Sequence, residues 1–457
     1  MTIGFLRRRI ARLATSENYL FWLKLWLGRL VFWGGAVGVG LLAGLFAALS
    51  ETVGSFFARE AGGHVWLPLV IMPLGGATLV WLTRRYFAGA EGSGIPQVLA
   101  ELRRAAPESA IEGSPPGKLL PLPRPLLSLR ILTGKMFLGV SALGCGFPLG
   151  REGPSVQIGA SLMNAVHRWL PPSLDIRRNH ILIAGGAAGI AAAFNAPLAG
   201  VMFAIEELAR GVESRMSGLV ITAIILAGVT AQAMRGGSGN YFGTVLMIAG
   251  DQEQLKAVLV ASVICGISGG CFSRIMLIGA TAWRGRLANF RARSPVLFAG
   301  GCGFFIALLG IATGGMIFGS GLAETRALLS GEGELSLGFA PAKFVATLTA
   351  YLSGLPGGIF SPSLSIGAGL GVSLAPWLEQ GAASGLLLTL CMAGFLAAAT
   401  QAPMTSFLIV MEMVDGYSVV IALMTVSLFS SMVSRLLSPP LYATLARAML
   451  RAGARSP

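Results

Sequence analysis

Three acidic residues stand out because the sequence around them carries almost no charge. Glu206 and Glu207 directly follow Ile181–Ile205, a run of 25 residues without a charged side chain. Glu152 lies in the glycine-rich segment Gly150–Pro154. An ionisable side chain is costly to bury in an apolar environment, so such residues indicate function by default. Carboxylates in this setting can carry protons, and the adjacent pair should hinder each other's ionisation, which helps a proton relay.

Glycine and proline interrupt the apolar sequence where a loop could enter a helix. Gly92–Pro96, Gly150–Pro154 and Gly358–Pro362 each end on a proline, which suits the first turn of a helix because its missing N–H is not needed there. Ser361 is expected to be the N-cap of the third of these helices, and Pro197 predicts one more helix start. Several helix N-termini aimed at one place would form a partially positive cradle of N–H groups that suits an anion.

Composition places these motifs in a membrane. Of 457 residues, 54% are apolar and only 12% are charged, about half the charged share of a soluble protein. Mean hydropathy is +0.73. These values exclude a disordered chain, a disulfide-stabilised secreted domain and an ordinary soluble enzyme. Lys and Arg exceed Asp and Glu by 34 to 20; in a membrane protein that excess belongs to cytoplasmic loops facing anionic lipid, so nucleic-acid binding is not expected.

Other kinds of chemistry find no support in the sequence. No phosphate-binding loop, metal-ligand spacing or catalytic triad is visible, so we expect no metal, no cofactor and no enzyme activity. The cysteines and histidines are scattered, and the cysteines lie in apolar stretches without a CxxC spacing. These residues are Cys145, Cys265, Cys271, Cys302, Cys391, His64, His167 and His180.

The chain is predicted to form one polytopic, all-α transmembrane domain over residues 1–457. Long uncharged stretches such as Pro295–Ala323 approach or exceed the ~20 residues that a membrane helix needs. Residues 1–29 are expected to be a cytoplasmic and interfacial N-terminal helix, and 441–457 a cytoplasmic tail. Basic residues near both ends place both termini in the cytoplasm of a multi-pass protein of the cell (inner) membrane. They are Arg7, Arg8, Arg9, Arg12, Arg447, Arg451 and Arg455.

Two halves of the chain resemble each other, at roughly 30–235 and 250–440. The segment that begins at Pro154 matches the one that begins at Pro362, an offset of 362 − 154 = 208. The segments that end at Pro197 and Pro403 match at an offset of 206, which also pairs Glu206 with Glu412. Paired halves with broken helices at corresponding positions are typical of transporters with a site near the membrane midplane. The residues alone leave open whether the repeat is parallel or inverted.

The three motifs, in this order, resemble the signatures of the CLC chloride channel and transporter family, and the resemblance covers nearly the whole chain. It implies an inverted repeat of tilted, discontinuous helices, and a homodimer with one anion pathway in each subunit. It also implies that chloride is coordinated by the hydroxyls of Ser93 and Tyr442 and by the backbone amides of Ile359 and Phe360. The side chains of the latter two should matter less than their main-chain geometry.

The resemblance further implies roles for the charged residues. Glu152 matches the external gating glutamate, and Glu207 matches the internal proton-transfer glutamate of exchangers, which channels often lack. Lys135 and Arg151 resemble basic residues near the pathway, which either offset buried acids or attract anions. For Glu206, ion pairing at a helix end is the alternative to a role in transport.

One position departs from the family pattern. An acid often follows the proline of the first motif, but Gln97 stands there in this chain. The change removes a local charge and the salt bridge that an acid could form. Its expected consequence is for local packing and rate, not for the choice of chloride.

The resulting hypothesis is a chloride/proton antiporter with membrane lipid around it and chloride and protons as its transported ions. The alternative on the same fold is a voltage- or pH-gated chloride channel. A fluoride exporter is disfavoured because Ser93 keeps the chloride-type residue. An intramembrane protease would need a Ser/His, paired-Asp or HExxH constellation, and the sequence contains none.

Overall fold

A computed structural model describes residues 16–104, 126–172, 176–209, 218–234, 236, 241–242, 251–331, 337–378 and 384–455. The arginines predicted to hold the N-terminus in the cytoplasm, at 7–12, lie outside these residues. Most of the proline-rich stretch between Arg103 and Arg130 does so too. The described chain is built from α-helices with short 3₁₀ and π segments, and its two isolated β-bridges form no sheet. The predicted all-α architecture is confirmed.

Eight α-helices come from the first half of the chain and ten from the second, counted over the described residues. The first eight are α1 Ser16–Gly63, α2 Leu67–Tyr86, α3 Ile95–Arg104, α4 Leu129–Gly144, α5 Glu152–Val166, α6 Arg178–Phe194, α7 Pro197–Phe203 and α8 Gly218–Met234. The other ten are α9 Asp251–Leu277, α10 Arg286–Arg293, α11 Pro295–Ala312, α12 Leu322–Leu329, α13 Phe339–Leu352, α14 Phe360–Leu374, α15 Ser384–Thr400, α16 Pro403–Val414, α17 Val420–Leu437 and α18 Leu441–Arg455.

Helix length separates an outer set from an inner set. Within the described residues, five segments are long and apolar enough to cross a membrane: Trp22–Gly63, Leu67–Tyr86, Gln254–Ala282, Pro295–Ala312 and Gly416–Leu437. By contrast α5 and α14 have only 15 residues each and bury most of their length inside the protein. A helix that ends within the membrane is tolerated where protein surrounds it. The short helices therefore form the interior, and the long ones face outward.

Helices lie at both ends of the described chain. From residue 16 onward, the expected interfacial helix and the first membrane span form one continuous 48-residue helix, α1. Residues 441–455 form α18, which packs against α3 and buries Leu441, Tyr442 and Leu450. The segment predicted as a tail is therefore part of the folded body up to residue 455.

Segments that the sequence pairs across the two halves adopt the same local structure. Helix α6 is followed by Asn195 and α15 by Gln401. Both of these residues have a left-handed backbone conformation, with φ of 56° and 58°. In each case an Ala-Pro step follows and opens the next helix, α7 or α16. A left-handed residue after the last turn is a common way to end a helix. The reversal lets a short second helix turn back against the first.

Glycines allow the inner helices to touch along their backbones. A β-carbon on Gly159 in α5 would overlap the carbonyl oxygen of Gly185 in α6, and one on Gly185 would overlap that of Gly159. In the second half, Gly367 in α14 lies equally close to the carbonyl of Cys391 in α15. The small side chain is thus required at corresponding positions of both halves.

Replacing Gly159 with alanine should destabilise the protein by about 1–3 kcal/mol, because the added methyl group forces α5 away from α6. The matched control is Gly301→Ala, in the middle of α11, where nothing lies within 4 Å of the added carbon. The control should be neutral or stabilising, since alanine is the better helix former. Thermal unfolding in detergent measures both, and an equal midpoint for the two variants would contradict the packing argument.

Candidate functional site

The three glycine-rich loops meet at the centre of the molecule and are joined by backbone hydrogen bonds. Gly150 and Gly358 exchange two of them, with N···O distances of 2.8 and 2.6 Å. Gly92 donates to the carbonyl of Leu355 at 3.2 Å and accepts from the amide of Gly357 at 3.0 Å. The third loop therefore joins both of the others, although more than 200 residues of sequence separate it from each of them. These contacts fix the helices that start at the loops relative to one another.

Three helix N-termini begin at this junction. α3 starts at Ile95, α5 at Glu152 and α14 at Phe360. The first N–H groups of a helix have no acceptor within it, and the helix dipole makes that end partially positive. Gly153 permits the close approach, because a β-carbon there would overlap the Ser93 hydroxyl. The junction is therefore a cradle for negative charge.

The carboxylate of Glu152 lies in this cradle. Its Oε2 accepts a hydrogen bond from the Ser361 backbone amide at 3.3 Å, and its Oε1 accepts a short one from the Ser361 hydroxyl. Ser361 was expected to be the N-cap of α14, and that prediction is wrong. Ile359 is the N-cap, without a side-chain bond, and Ser361 is the second residue of the helix. The hydroxyl holds the acid of another helix instead of capping its own.

Two hydroxyls lie on the other side of the junction. Ser93 and Tyr442 are each 1% exposed, and the phenol faces Ser93. Neither oxygen has a hydrogen-bond partner among the described residues. Burying a hydroxyl without a partner costs about 1–3 kcal/mol. Two such donors beside a helix N-terminus are suited to bind a monatomic anion.

The ring of Phe360 positions Tyr442. The two rings are nearly parallel at 8°, with centroids 6.2 Å apart. Phe194 and Phe203 pack on Phe360 from other helices, with centroids at 5.9 and 6.4 Å. The sequence predicted that the side chain of Phe360 matters less than its main-chain geometry. The structure adds its side chain as a support for the tyrosine.

Two buried lysines hold the loops that precede helix starts. Lys135 donates to the carbonyls of Ala90 and Gly92 at 2.8 and 2.6 Å. Lys343, which the sequence analysis missed, donates to the carbonyls of Ile317 and Gly319 at 2.8 Å each. The signal was present in the sequence, because 343 − 135 = 208 is the offset of the repeat. Lys135 thus fixes the backbone next to Ser93.

Arg151 points away from the cradle. Its guanidinium donates to the carbonyl of Ala47 at 2.8 Å and to Glu51 at 2.7 Å, and a short hydrogen bond joins it to the Tyr241 hydroxyl. The buried cation also lies over the Tyr241 ring, 5.7 Å from its centroid. The guanidinium is paired with Glu51, an acid whose side chain is more than half exposed, so the two roles that the sequence left open for Arg151, offsetting buried acids or attracting anions, stay predictions.

Glu206 and Glu412 cap each other's neighbouring helices. Glu206 accepts the amides of Met404 and Thr405 at the start of α16, at 3.1 and 2.7 Å. Glu412 accepts the amides of Leu198 and Ala199 at the start of α7, at 3.2 and 2.8 Å. The ion pairing considered for this pair is replaced by reciprocal capping. The expectation that the helix starting at Pro197 adds to the anion cradle is therefore wrong, because a carboxylate already occupies its N-terminus.

Glu207 directly follows Glu206 and is the more buried of the two acids. It lies in the π-helical segment Ala204–Leu208 and is buried at 5% exposure. π segments are frequent at functional sites because the extra residue re-aims a side chain. Of the two adjacent acids, Glu206 thus caps α16, and Glu207 is the more deeply buried.

Gln97 takes part in the same framework. Its Nε2 donates to the carbonyl of Glu91 at 2.5 Å, and the residue is buried. The neutral amide therefore ties α3 to the loop before it. An acid at this position could not donate that bond.

Comparison with known proteins agrees with this geometry. A family model described as voltage gated chloride channel matches residues 75–435. The chain belongs to the CLC family. Among curated CLC relatives, the H(+)/Cl(-) exchange transporter ClcA of Vibrio cholerae is 30% identical over 438 residues, which cover 90% of this chain and 88% of the relative. ClcA of Cronobacter sakazakii is 31% identical over 433 residues, covering 89% and 87%.

Solved CLC structures share the fold. A slow cyanobacterial Cl-/H+ antiporter superimposes with a TM-score of 0.73 at 24% identity, covering 93% of this chain and 99% of that one. A CLC-type fluoride/proton antiporter gives a TM-score of 0.70 at 21% identity, covering 93% and 98%. At these identities the likeness establishes the architecture. The chain is an integral membrane protein of CLC fold.

Ser361→Ala should make it easier for a halide to displace Glu152 from the cradle. A hydrogen bond to a charged group contributes about 1.5–3 kcal/mol, so the apparent chloride affinity should rise by roughly tenfold or more. Calorimetric titration of chloride into the purified protein measures this change. Ser363→Ala is the matched control, since that buried hydroxyl has no partner in the described structure and lies two residues further along the same helix. Equal affinities for the two variants would contradict the role of Ser361.

Proposed function

We propose that this CLC protein exchanges chloride for protons across the cell (inner) membrane. The observation that carries the proposal is Glu152, a protonatable anion seated at the helix N-termini where a halide would bind, and held there by Ser361. An acid and a halide cannot share one cradle, so binding of one displaces the other. Because protonation removes the negative charge of the acid, the two ions become linked. The names of the exchange transporters to which the chain is similar support the same conclusion.

Chloride is proposed to bind between the two hydroxyls and the start of α14. Ser93 and Tyr442 donate their O–H groups, and Ile359 and Phe360 donate backbone amides. Partial charges and hydroxyls can replace the hydration shell of the ion without trapping it, as a buried lysine would. The buried lysine nearest the site, Lys135, is already engaged by backbone carbonyls. Neutral donors are therefore left to meet the ion.

Protons are proposed to enter at Glu207 and to leave at Glu152, on the opposite side of the bound chloride. In this proposal the buried Glu207 stands at the inner end of the path, and Glu152, which accepts from Ser361, stands at the outer end. When Glu152 is protonated it leaves the cradle and chloride enters from outside. When it is ionised it competes for the same N–H groups. One residue thus couples both fluxes.

The same proposal covers assembly and orientation. Both termini lie in the cytoplasm, and two copies form a dimer with one pathway each, as the family resemblance implies. The two halves are inverted repeats. Glu206 caps α16 of the second half, and Glu412 caps α7 of the first half. This reciprocal capping supports a two-fold relation between the halves. Light scattering of the purified protein in detergent tests the dimer, and a monomer mass would contradict it.

A gated chloride channel is the second candidate, and the description of the matching family model favours it. The buried position of Glu207 favours exchange, since a pore that conducts only chloride needs no internal acid. In proteoliposomes with a chloride gradient and no proton gradient, an exchanger should drive protons uphill. Chloride flux without any proton movement would establish the channel instead.

Glu207→Gln should abolish proton transport while chloride still moves, because an amide cannot carry the proton. Paired chloride-electrode and pH-electrode recordings from proteoliposomes give both fluxes. The matched control is Glu206→Gln, which changes the adjacent acid that caps α16. That control should lower stability and preserve coupling. If protons still accompany chloride in Glu207→Gln, this residue has no part in the proton path.

A further inference from the structure

A single short helix connects to both hydroxyls of the proposed chloride site. α3 has ten residues, Ile95–Arg104, and Ser93 lies in the loop directly before it. At its other end, Arg103 Nη1 donates to the carbonyl of Ala443 at 2.9 Å. Ala443 follows Tyr442 in the first turn of α18. The backbone next to Tyr442 is therefore bonded to the helix that begins just after Ser93.

The contact is well suited to fix the start of α18. A guanidinium is a rigid donor that remains charged at all accessible pH values, and a cation is favoured in the last turn of a helix. α3 is buried from Ile95 to Leu102, so its own position is fixed by packing. Arg103 thereby links α18 to a firmly held element rather than to a mobile side chain.

Two restraints of different kind act on Tyr442. Stacking on Phe360 fixes the plane of the ring but allows it to slide within that plane. The bond from Arg103 to Ala443 fixes the backbone from which the ring extends. Together they determine where the hydroxyl lies relative to Ser93. Without the second restraint, α18 could move away while the ring stayed flat against Phe360.

We propose that Arg103 is a positioning residue that holds Tyr442 against Ser93 and so keeps the inner end of the anion path closed between transport steps. The inference rests on the proposed exchange function. Its consequence is that the fidelity of coupling depends on a residue that touches neither ion. Loss of the bond lets chloride slip past Tyr442 without a proton moving in return.

The neighbouring arginine provides a matched comparison. Arg104 is the next residue of α3 and is also half-buried, but its guanidinium is directed to Glu101 at 3.9 Å. Glu101 also pairs with Arg178 at 3.5 Å. Removing the charge of Arg104 therefore leaves α18 untouched and changes the local net charge by the same amount.

The test compares Arg103→Met, which keeps the aliphatic stem and removes the donor, with Arg104→Met and with Arg103→Lys. Proton and chloride fluxes are recorded together from proteoliposomes. Arg103→Met should lower the number of protons moved per chloride at least twofold. Arg104→Met should match the wild type, and Arg103→Lys should restore most of the coupling, since an ammonium can donate the same bond. A merely structural arginine would lower the yield or the melting temperature without changing this ratio.

A double mutant shows whether Arg103 acts through the tyrosine. In a Tyr442→Ala background, adding Arg103→Met should leave the flux ratio unchanged, because the positioned group is gone. A further fall by the same factor as in the wild type would overturn the proposal, as would a wild-type ratio in Arg103→Met alone. Should Arg103→Met fail to fold, Arg103→Leu, which also lacks a donor, replaces it in both arms.

Chloride affinity separates failure of this inference from failure of the proposed function. If the wild-type protein moves no protons, exchange is refuted, but calorimetry still tests the contact. Arg103→Met should then bind chloride several-fold more weakly than Arg104→Met, because the Tyr442 hydroxyl is no longer held in place. Equal affinities would remove Arg103 from the site whatever the transport mechanism.

Discussion

The constraint on which the structure depends is the satisfaction of helix ends inside a membrane. A broken helix leaves N–H groups without acceptors, and no water is available in the bilayer core to bind them. Helices α3, α5 and α14 direct such ends to one junction, where the carboxylate of Glu152 supplies negative charge. The same groups that demand an acceptor are what make an anion site without a full positive charge. Structure and proposed function therefore follow from one unmet bonding requirement.

The rest of the interior meets the same requirement in other ways. Glu206 and Glu412 fill the N-termini of α16 and α7 with carboxylates and so withdraw those helices from the anion site. Lys135 and Lys343 donate hydrogen bonds to backbone carbonyls in the loops that precede helix starts. These four charged side chains thus satisfy backbone groups at broken helices. The proposed chloride site is left with hydroxyls, backbone amides and the carboxylate of Glu152.

Close packing fixes the inner helices and the three motif loops, whereas Glu152 and Tyr442 have fewer contacts. Glycines let α5 and α6 approach along their backbones, and the three motif loops are joined by reciprocal hydrogen bonds. The side chains proposed to contact the ions have fewer partners, Glu152 one serine, and Tyr442 a stacked ring and the carbonyl beside it. A carboxylate held by few bonds can leave and return.

The sequence by itself determined the membrane architecture, the three loops, the helix starts at proline and the acids at Glu152 and Glu207, because these depend on local composition and chain geometry. The offset of 208 residues even contained Lys343, which went unnoticed. Tertiary structure alone decided that Ser361 serves Glu152, that Glu206 caps a helix of the other half and that Arg103 reaches Ala443, 340 residues away. A hydrogen-bond partner of this kind is set by how helices pack, and no local pattern in the chain encodes which distant backbone a side chain will meet.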